Sequence, residues 1–338
     1  MSTDDLLKEL YTAADEFRKI EPWTWMYDSD LFGVLNPETN EIGYCTVLGA
    51  LGEVFAFVIY LGSEGLATYR KMQSAKDEKD YLDAAYEQKC LVASFEDRNS
   101  LKQEELRAIK RLGLKFRGRN AWPQFLSYLP GYAPYELSNG EARYLLSALQ
   151  QAIHVALRFK NDEMVLDPPK NGQLLVRSPV TQGNSTEWKD VWMKPPANKK
   201  EEVQLLPVDE LLIQRINKTL KKTKHTWEFD SFYVPAVVKE EPRPFFPRMF
   251  LFADHSAGII VHQWVSPPET AISTFQENLL RFFEENKVSP KRVLVGERKH
   301  LTMLEPVCLK LGIDLKVVNS LDVIDDFKDA MLPDFLGA

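Results

Sequence analysis

The side chains with the clearest chemical potential lie late in the chain. Asp254 and His255 close one apolar run, and Glu297 follows another within Gly296-Glu297-Arg298. In an open α/β sheet, ligands collect beyond the carboxyl ends of parallel strands, so carboxylates at such points are candidate site residues. Asp254 and Glu297 are the candidate catalytic residues. Joined by Asp230, they would form an acidic cluster able to hold Mg²⁺ or Mn²⁺ and activate water against a phosphodiester. That hydrolytic reading is the one under which a metal cofactor is expected. His255 and His262 flank a tight turn but have no third ligand spaced to join them. Each is expected as a hydrogen-bonded or surface histidine, as are His154, His225 and His300.

A second group interleaves cations with rings: Arg117, Arg119, Trp122, Phe125, Tyr128, Tyr132 and Tyr135. That is the composition of a groove that stacks single-stranded bases. Arg117, Arg119, Trp122 and Tyr132 are therefore the candidate binding residues. The competing expectation is a proline-bearing loop that packs its rings onto the core, the commonest use of aromatic side chains. A basic run at Arg215, Lys218, Lys221, Lys222 and Lys224 occupies a helix C-terminus, where cations offset the dipole. Gly62-Ser63-Glu64-Gly65 lacks both the lysine of a P-loop and the spacing of a dinucleotide fingerprint, and reads as an N-cap turn. No G-x-S-x-G elbow is present.

Composition narrows the classes. A net charge of −7 works against a dedicated nucleic-acid binder, which needs a concentrated basic surface, so a protein partner is expected ahead of nucleic acid. Cys45, Cys90 and Cys308 are far apart and never form a C-x-x-C pair, which predicts buried free thiols, with neither a disulfide framework nor a thiol zinc site. The apolar run at 54–61 is far shorter than the roughly 20 residues needed to span a bilayer. The acidic start of the chain does not resemble a secretory signal. The expectation is a cytoplasmic protein without membrane association.

These residues need elements to position them. At 338 residues the chain exceeds the size at which one core usually stops growing, which predicts two domains. The first, 1–194, is expected as an α+β domain. Its first helix carries Leu6, Leu10, Ala13 and Phe17 inward, and a β-meander follows at 31–35, 42–48 and 53–61. Further helices are expected near 63–72 and 101–112, and 76–100 is ambiguous between helix and strand. The strongest helix begins at Ser138 and Glu141, a capping box followed by apolar residues at a 3.6-residue period through Leu157. Two strands, 174–177 and 187–193, finish the domain.

A polar stretch containing Pro195 and Pro196 makes 195–203 the expected linker. The second domain, 204–338, opens with a helix burying Leu211, Leu212, Ile216 and Leu220. Strands follow near 226–238, 248–254 and 258–265, then a helix started by Ser266-Pro267-Pro268-Glu269, then strand, helix, strand and helix. Pro306 lies either in the first turn of its helix or at a kink. The expected class is α/β, a mixed sheet of three antiparallel strands followed by βαβα, flanked by helices.

Two resemblances add to this. The segments 23–34, 47–54 and 60–66, with Pro123-Gln124-Phe125 and Pro130-Gly131-Tyr132-Ala133-Pro134-Tyr135, resemble a family of uncharacterised bacterial proteins made of two domains of unknown function. That resemblance implies a bacterial, cytoplasmic context and lends no activity. The element order over 226–332 also resembles the ribonuclease H-like fold, which uses carboxylates to hold metal. Glu277 would have to supply the helical carboxylate, yet it lies opposite the Ile272, Phe275 and Leu279 stripe. The expected function is thus a non-catalytic binding or interaction protein. The alternative is a metal-dependent hydrolase acting on nucleic acid through the C-terminal domain, and it requires Asp254 and Glu297 to share a cleft.

Overall fold

A computed structural model describes residues 2–182, 185–195, 209–240 and 242–336. The chain separates into two compact units, 1–130 with 134–199 and 131–133 with 200–338, each with its own core. Apart from Pro195, the expected linker at 195–203 lies outside the described residues. Among the described residues no helix is long and apolar enough to cross a membrane.

The first unit opens with α1 (Thr3–Ile20), capped by Ser2, whose Oγ accepts from the Asp5 amide at 3.2 Å. Strands β1 (Phe32–Leu35), β2 (Ile42–Leu48) and β3 (Ala56–Leu61) form the expected meander, followed by α2 (Gly62–Gln73) and α3 (Glu78–Tyr86). The ambiguous stretch resolves into α3 and then β4 (Cys90–Glu96), with α4 (Gln103–Arg111) after it. Next comes β5 (Trp122–Tyr128), where the sequence had suggested a loop. Pro123 explains the difference: proline cannot donate to a sheet ladder and is confined to edge strands, and β5 is an edge.

The capping box forms as expected at the start of α5 (Asn139–Asn161), with Ser138 Oγ accepting from the Glu141 amide and Glu141 Oε2 from the Ser138 amide. Strands β6 (Leu174–Gln182) and β7 (Ser185–Met193) pair antiparallel, and β6 joins β1 in parallel. The result is a seven-stranded mixed sheet in the order β5-β4-β3-β2-β1-β6-β7.

Side chains alternate across this sheet. Phe57, Ile59, Leu91 and Ala93 face α1 and α5 and are fully buried there. At Gly43 a Cβ would lie 2.2 Å from the Tyr144 hydroxyl, so the bare backbone lets that ring reach Val34 and donate to its carbonyl at 2.7 Å.

The second unit begins with α6 (Glu210–Thr219), which buries Ile213 and Ile216 and leaves Leu211 78% exposed, against the expectation for Leu211. After the short β8 (Lys221–Lys222) come β9 (Thr226–Tyr233), β10 (Arg248–Asp254) and β11 (Ile259–Ser266). The helix expected from Ser266 is divided into α7 (Pro268–Ala271) and α8 (Phe275–Asn286), because Ser266 ends β11 instead of capping a helix. Then follow β12 (Val288–Ser289), β13 (Arg292–Val295), α9 (Arg298–Leu311), β14 (Asp314–Val317) and α10 (Asp322–Leu336). Pro306 lies in the interior of α9, where it removes one hydrogen bond from the helical ladder.

The sheet order is β11-β10-β9-β13-β14, with β9, β13 and β14 parallel and β10 and β11 antiparallel to their neighbours. The element order on which the second resemblance rests is therefore present. One face carries α8 and α9 on an aromatic core around Phe229, Phe252 and Phe282, and the other packs against α10 through Leu321 and Ile324. Residues 131–133 group with this unit because the Phe246 amide donates to Gly131 O at 2.7 Å and the Ala133 amide to Pro244 O at 3.0 Å.

Candidate functional site

Strand register separates the two candidate catalytic carboxylates. Asp254 ends β10 opposite Trp227, near the start of β9, whereas Glu297 follows Val295, which pairs with Phe229. The offset is roughly four residues, or about 13 Å along the strands, with β9 between them. Asp254 is a turn-former: its Oδ1 accepts from the Ser256 and Ala257 amides at 3.0 and 2.9 Å, and its Oδ2 lies 2.5 Å from His225 Nδ1. Burial raises its pKa, but those amides and His225 outweigh burial and leave the carboxyl below its usual range. Glu297 is exposed at the start of α9 and pairs with Lys299 at 3.2 Å. Glu277 faces away from the core and pairs with Arg281 at 3.1 Å. Among the described residues no group of three or more His, Cys, Asp or Glu converges to hold a metal ion.

The polar groups that do converge in this unit lie on β9. Asp230, 9% exposed, places Oδ2 2.5 Å from Lys328 Nζ of α10 and Oδ1 3.1 Å from His300 Nδ1, off the line of a hydrogen bond. His300 Nε2 lies 3.0 Å from Ser231 Oγ, and that oxygen accepts from Arg248 Nε and Nη2 at 3.2 and 3.1 Å. With both guanidinium donors on Ser231, its own hydroxyl proton goes to Nε2, which leaves the His300 ring proton on Nδ1 facing Asp230.

Burial lowers the His300 pKa to about 4 against the opposing pull of Asp230, so the ring is neutral near pH 7. Burial also opposes ionisation of Asp230, yet Lys328 and His300 hold its pKa below the usual value. The order Ser, His, Asp has the connectivity of a hydrolase triad. Ser231, however, is 5% exposed, and its oxygen is covered by Arg248 and His300. The Lys328 ammonium likewise sits where a cation on Asp230 would have to go. Beside this cluster, fully buried Glu228 accepts the Val323 and Ile324 amides at the start of α10 at 3.1 and 3.0 Å, and its Oε1 lies 2.6 Å from His255 Nδ1. These contacts tie α9 and α10 to the sheet.

The candidate binding residues are divided between the units. Arg117 and Arg119 are exposed, with Arg119 Nε 3.9 Å from Asp97. Trp122 packs beside Phe116, with ring centroids 5.9 Å apart, in the cluster around Tyr11 and Ile109. Tyr132 belongs to the second unit, where it bridges Phe245 and lies under Arg243 at 5.5 Å. Burial and a hydrogen bond to Glu269 push its hydroxyl up to about 12. Trp122 and Tyr132 thus serve packing within their own units.

A deep groove lies on the other face of the first sheet, opposite α1 and α5. Register builds its floor in three rows across β3, β4 and β5: Tyr60, Cys90 and Tyr128; Val58, Val92 and Leu126; Ala56, Ser94 and Gln124. Helices α2 and α3 overhang the rows with Tyr69, Met72 and Tyr81, enclosing a groove of about 450 Å³. Its middle is apolar and its rim polar, with Asp28, Gln73, Gln88 and Glu96. Burial, the largest effect, pushes the Tyr69 and Tyr128 hydroxyls up to about 12, so both remain neutral phenols at physiological pH.

Residues 8–177 match the family model described as Domain of unknown function (DUF7309). The chain belongs to this family. Residues 212–332 match a second, Domain of unknown function (DUF6930). No curated protein and no solved structure matches the chain. The groove lies wholly in the DUF7309 segment and the Asp230–His300 cluster in the DUF6930 segment.

Sequence reasoning missed the groove for a definite reason. The alternation in β3 and β4 shows which residues share a face, but not that α2 and α3 leave that face partly uncovered. A signal was present in Tyr60, Tyr69, Tyr81 and Tyr128, hydroxyl-bearing rings suited to a surface half apolar and half wet.

Proposed function

We propose that this DUF7309 protein is a non-catalytic ligand-binding protein of the bacterial cytoplasm, with the groove over β3, β4 and β5 as its binding site. The observation that carries this is the groove itself: about 450 Å³, an apolar centre and a small number of polar groups at the rim, which is the usual make-up of a small-molecule site. The carboxylates of the second unit support the same reading from the other side, because Asp230, Asp254 and Glu228 are taken up by protein donors. The bacterial setting rests on the family resemblance. The cytoplasmic one is supported by three buried free thiols, Cys45, Cys90 and Cys308, as expected in a reducing compartment.

A thermal-shift screen of a small-molecule library against the full chain tests the proposal. Val92→Trp fills the middle row of the floor, and Tyr81→Ala, at a side chain on the rim that is 47% exposed, removes part of the wall with little risk to folding. Compounds that raise the Tm of the wild type should lose most of that shift in Val92→Trp and part of it in Tyr81→Ala. A screen without hits, or hits indifferent to both substitutions, would overturn the proposal.

A further inference from the structure

We infer that the groove selects an organic cation with an aromatic or apolar body, such as a substituted ammonium compound. The inference rests on the reading of the groove as a ligand site and adds the chemistry of its occupant.

The charge of the lining carries the first part. Asp28 and Glu96 are its ionisable carboxylates, and no Lys, Arg or His lines the groove among the described residues. On the surrounding elements Lys71 is engaged by Glu87 and Lys89 by Glu64 at 2.7 Å, while the exposed Arg70 of α2 is not part of the lining. An anionic ligand would meet two carboxylates with no counter-charge, whereas a cation finds them unneutralised by any basic side chain of the wall.

The direction of the side-chain amides carries the second. Gln124 Nε2 donates to both Glu105 oxygens at 2.9 and 3.1 Å, Gln73 Nε2 to Asp28 Oδ2 at 2.8 Å, and Gln88 Nε2 to Met72 Sδ at 3.2 Å. Each amide thus has an N–H committed to the protein; Gln88 Oε1 also accepts from Cys90 Sγ at 3.7 Å, and the Gln73 and Gln124 carbonyl oxygens are the acceptors left to offer. The Tyr69 hydroxyl proton is similarly spent on Asp28 O at 2.9 Å. With the Asp28 and Glu96 carboxylates, the Gln73 and Gln124 carbonyl oxygens give the wall acceptors for a ligand that donates or is positively charged.

The rings carry the third. Tyr60 and Tyr69 stand 5.1 Å apart at 53°, and Tyr81 and Tyr128 complete a partial aromatic enclosure around Val58, Val92 and Leu126. Ring faces attract a cation, most strongly where water is excluded, and alkylated ammonium groups are the usual guests of such enclosures. The three rows span roughly 10 Å across strands and about 13 Å along them, room for one ring system and its ammonium head.

The test is isothermal titration of the full chain at low salt with four probes: benzyltrimethylammonium, benzyl alcohol, benzenesulfonate and tetralysine. The cation is expected to bind at least about tenfold more tightly than the alcohol, and the sulfonate more weakly still. Glu96→Gln should weaken the cation about threefold or more, and Val92→Trp should abolish its binding. Equal or tighter binding of the alcohol or sulfonate overturns the inference, as does binding of the cation that Val92→Trp leaves unchanged. Tight binding of tetralysine without the ammonium probe also overturns it and points to a basic peptide. Library hits sensitive to Val92→Trp, combined with failure of the ammonium probe, leave the groove as a ligand site and remove only its cation preference. The absence of any hit sensitive to Val92→Trp removes both.

Discussion

The two sheets use their polar side chains in opposite ways. In the second unit both faces of the sheet are covered by helices, and Glu228, Asp230, Ser231 and His300 turn inward, where Lys328, Arg248 and the amides of α10 meet them. In the first unit one face is filled by α1 and α5, while the rows of β3, β4 and β5 on the other face open under α2 and α3. Buried groups that satisfy one another fix the positions of helices and have little left for a ligand. Acceptors at the edge of an apolar concavity remain available. Carboxylates at strand ends attract attention in a sequence, yet here the partnered carboxylates belong to the framework and the open acceptors surround the groove.

Perturbing the inward cluster should have the largest effect. Asp230→Ala would remove the carboxylate that faces the Lys328 ammonium, whose side chain is 11% exposed, and leave His300 without its acid, at an expected cost of about 3–5 kcal/mol in urea unfolding. A change below about 1 kcal/mol would mean that the cluster is not the fastening described here.

Acidification should act next most strongly. The unfolded chain takes up a proton on His300 near pH 6.5, but the folded protein does so only near pH 4. The stabilisation is therefore complete above pH 6.5 and is lost as pH falls toward 4, on the order of 3 kcal/mol, with Asp230 adding loss at lower pH as it protonates. His300→Gln should flatten the slope of stability against pH between those limits. An unchanged slope would contradict the buried, neutral ring.

Glu228→Gln keeps the shape but removes the charge that faces the two amides at the start of α10. A loss of about 1–2 kcal/mol is expected, with faster hydrogen exchange concentrated at Val323 and Ile324. Smallest in stability should be Val92→Trp, a half-buried position facing the groove, at about 1 kcal/mol or less while ligand binding is lost. A severe loss of stability there would show that the groove is a packed interior rather than an opening.

Local rules made part of this legible in advance. The capping box at Ser138 and Glu141 depends on neighbours three residues apart, and it appears where the sequence placed it. The same kind of rule failed at Ser266, whose capping pattern lost to the pairing of Ser266 with Arg248 in the sheet. β5 was hidden by Pro123, a residue that argues against a strand unless the strand is an edge. The Asp230–His300–Lys328 cluster was invisible for a further reason. It joins residues 70 and 98 positions apart whose meeting depends on how α9 and α10 return to the sheet. Glu297 was correctly placed after a parallel strand, but its distance from Asp254 follows from the register of β9, which no local pattern encodes.

Where a ligand contacts the chain distinguishes the two units most directly. Methyl NMR of the full protein, labelled at valine and leucine and titrated with a compound from the screen, resolves both units at once. The shifts should concentrate at Val58, Val92 and Leu126 in the groove, with Val293, Val295 and Leu304 in the core of the second unit unmoved. Shifts centred on the second unit, with the three groove methyls unchanged, would contradict the assignment of the groove as the binding site.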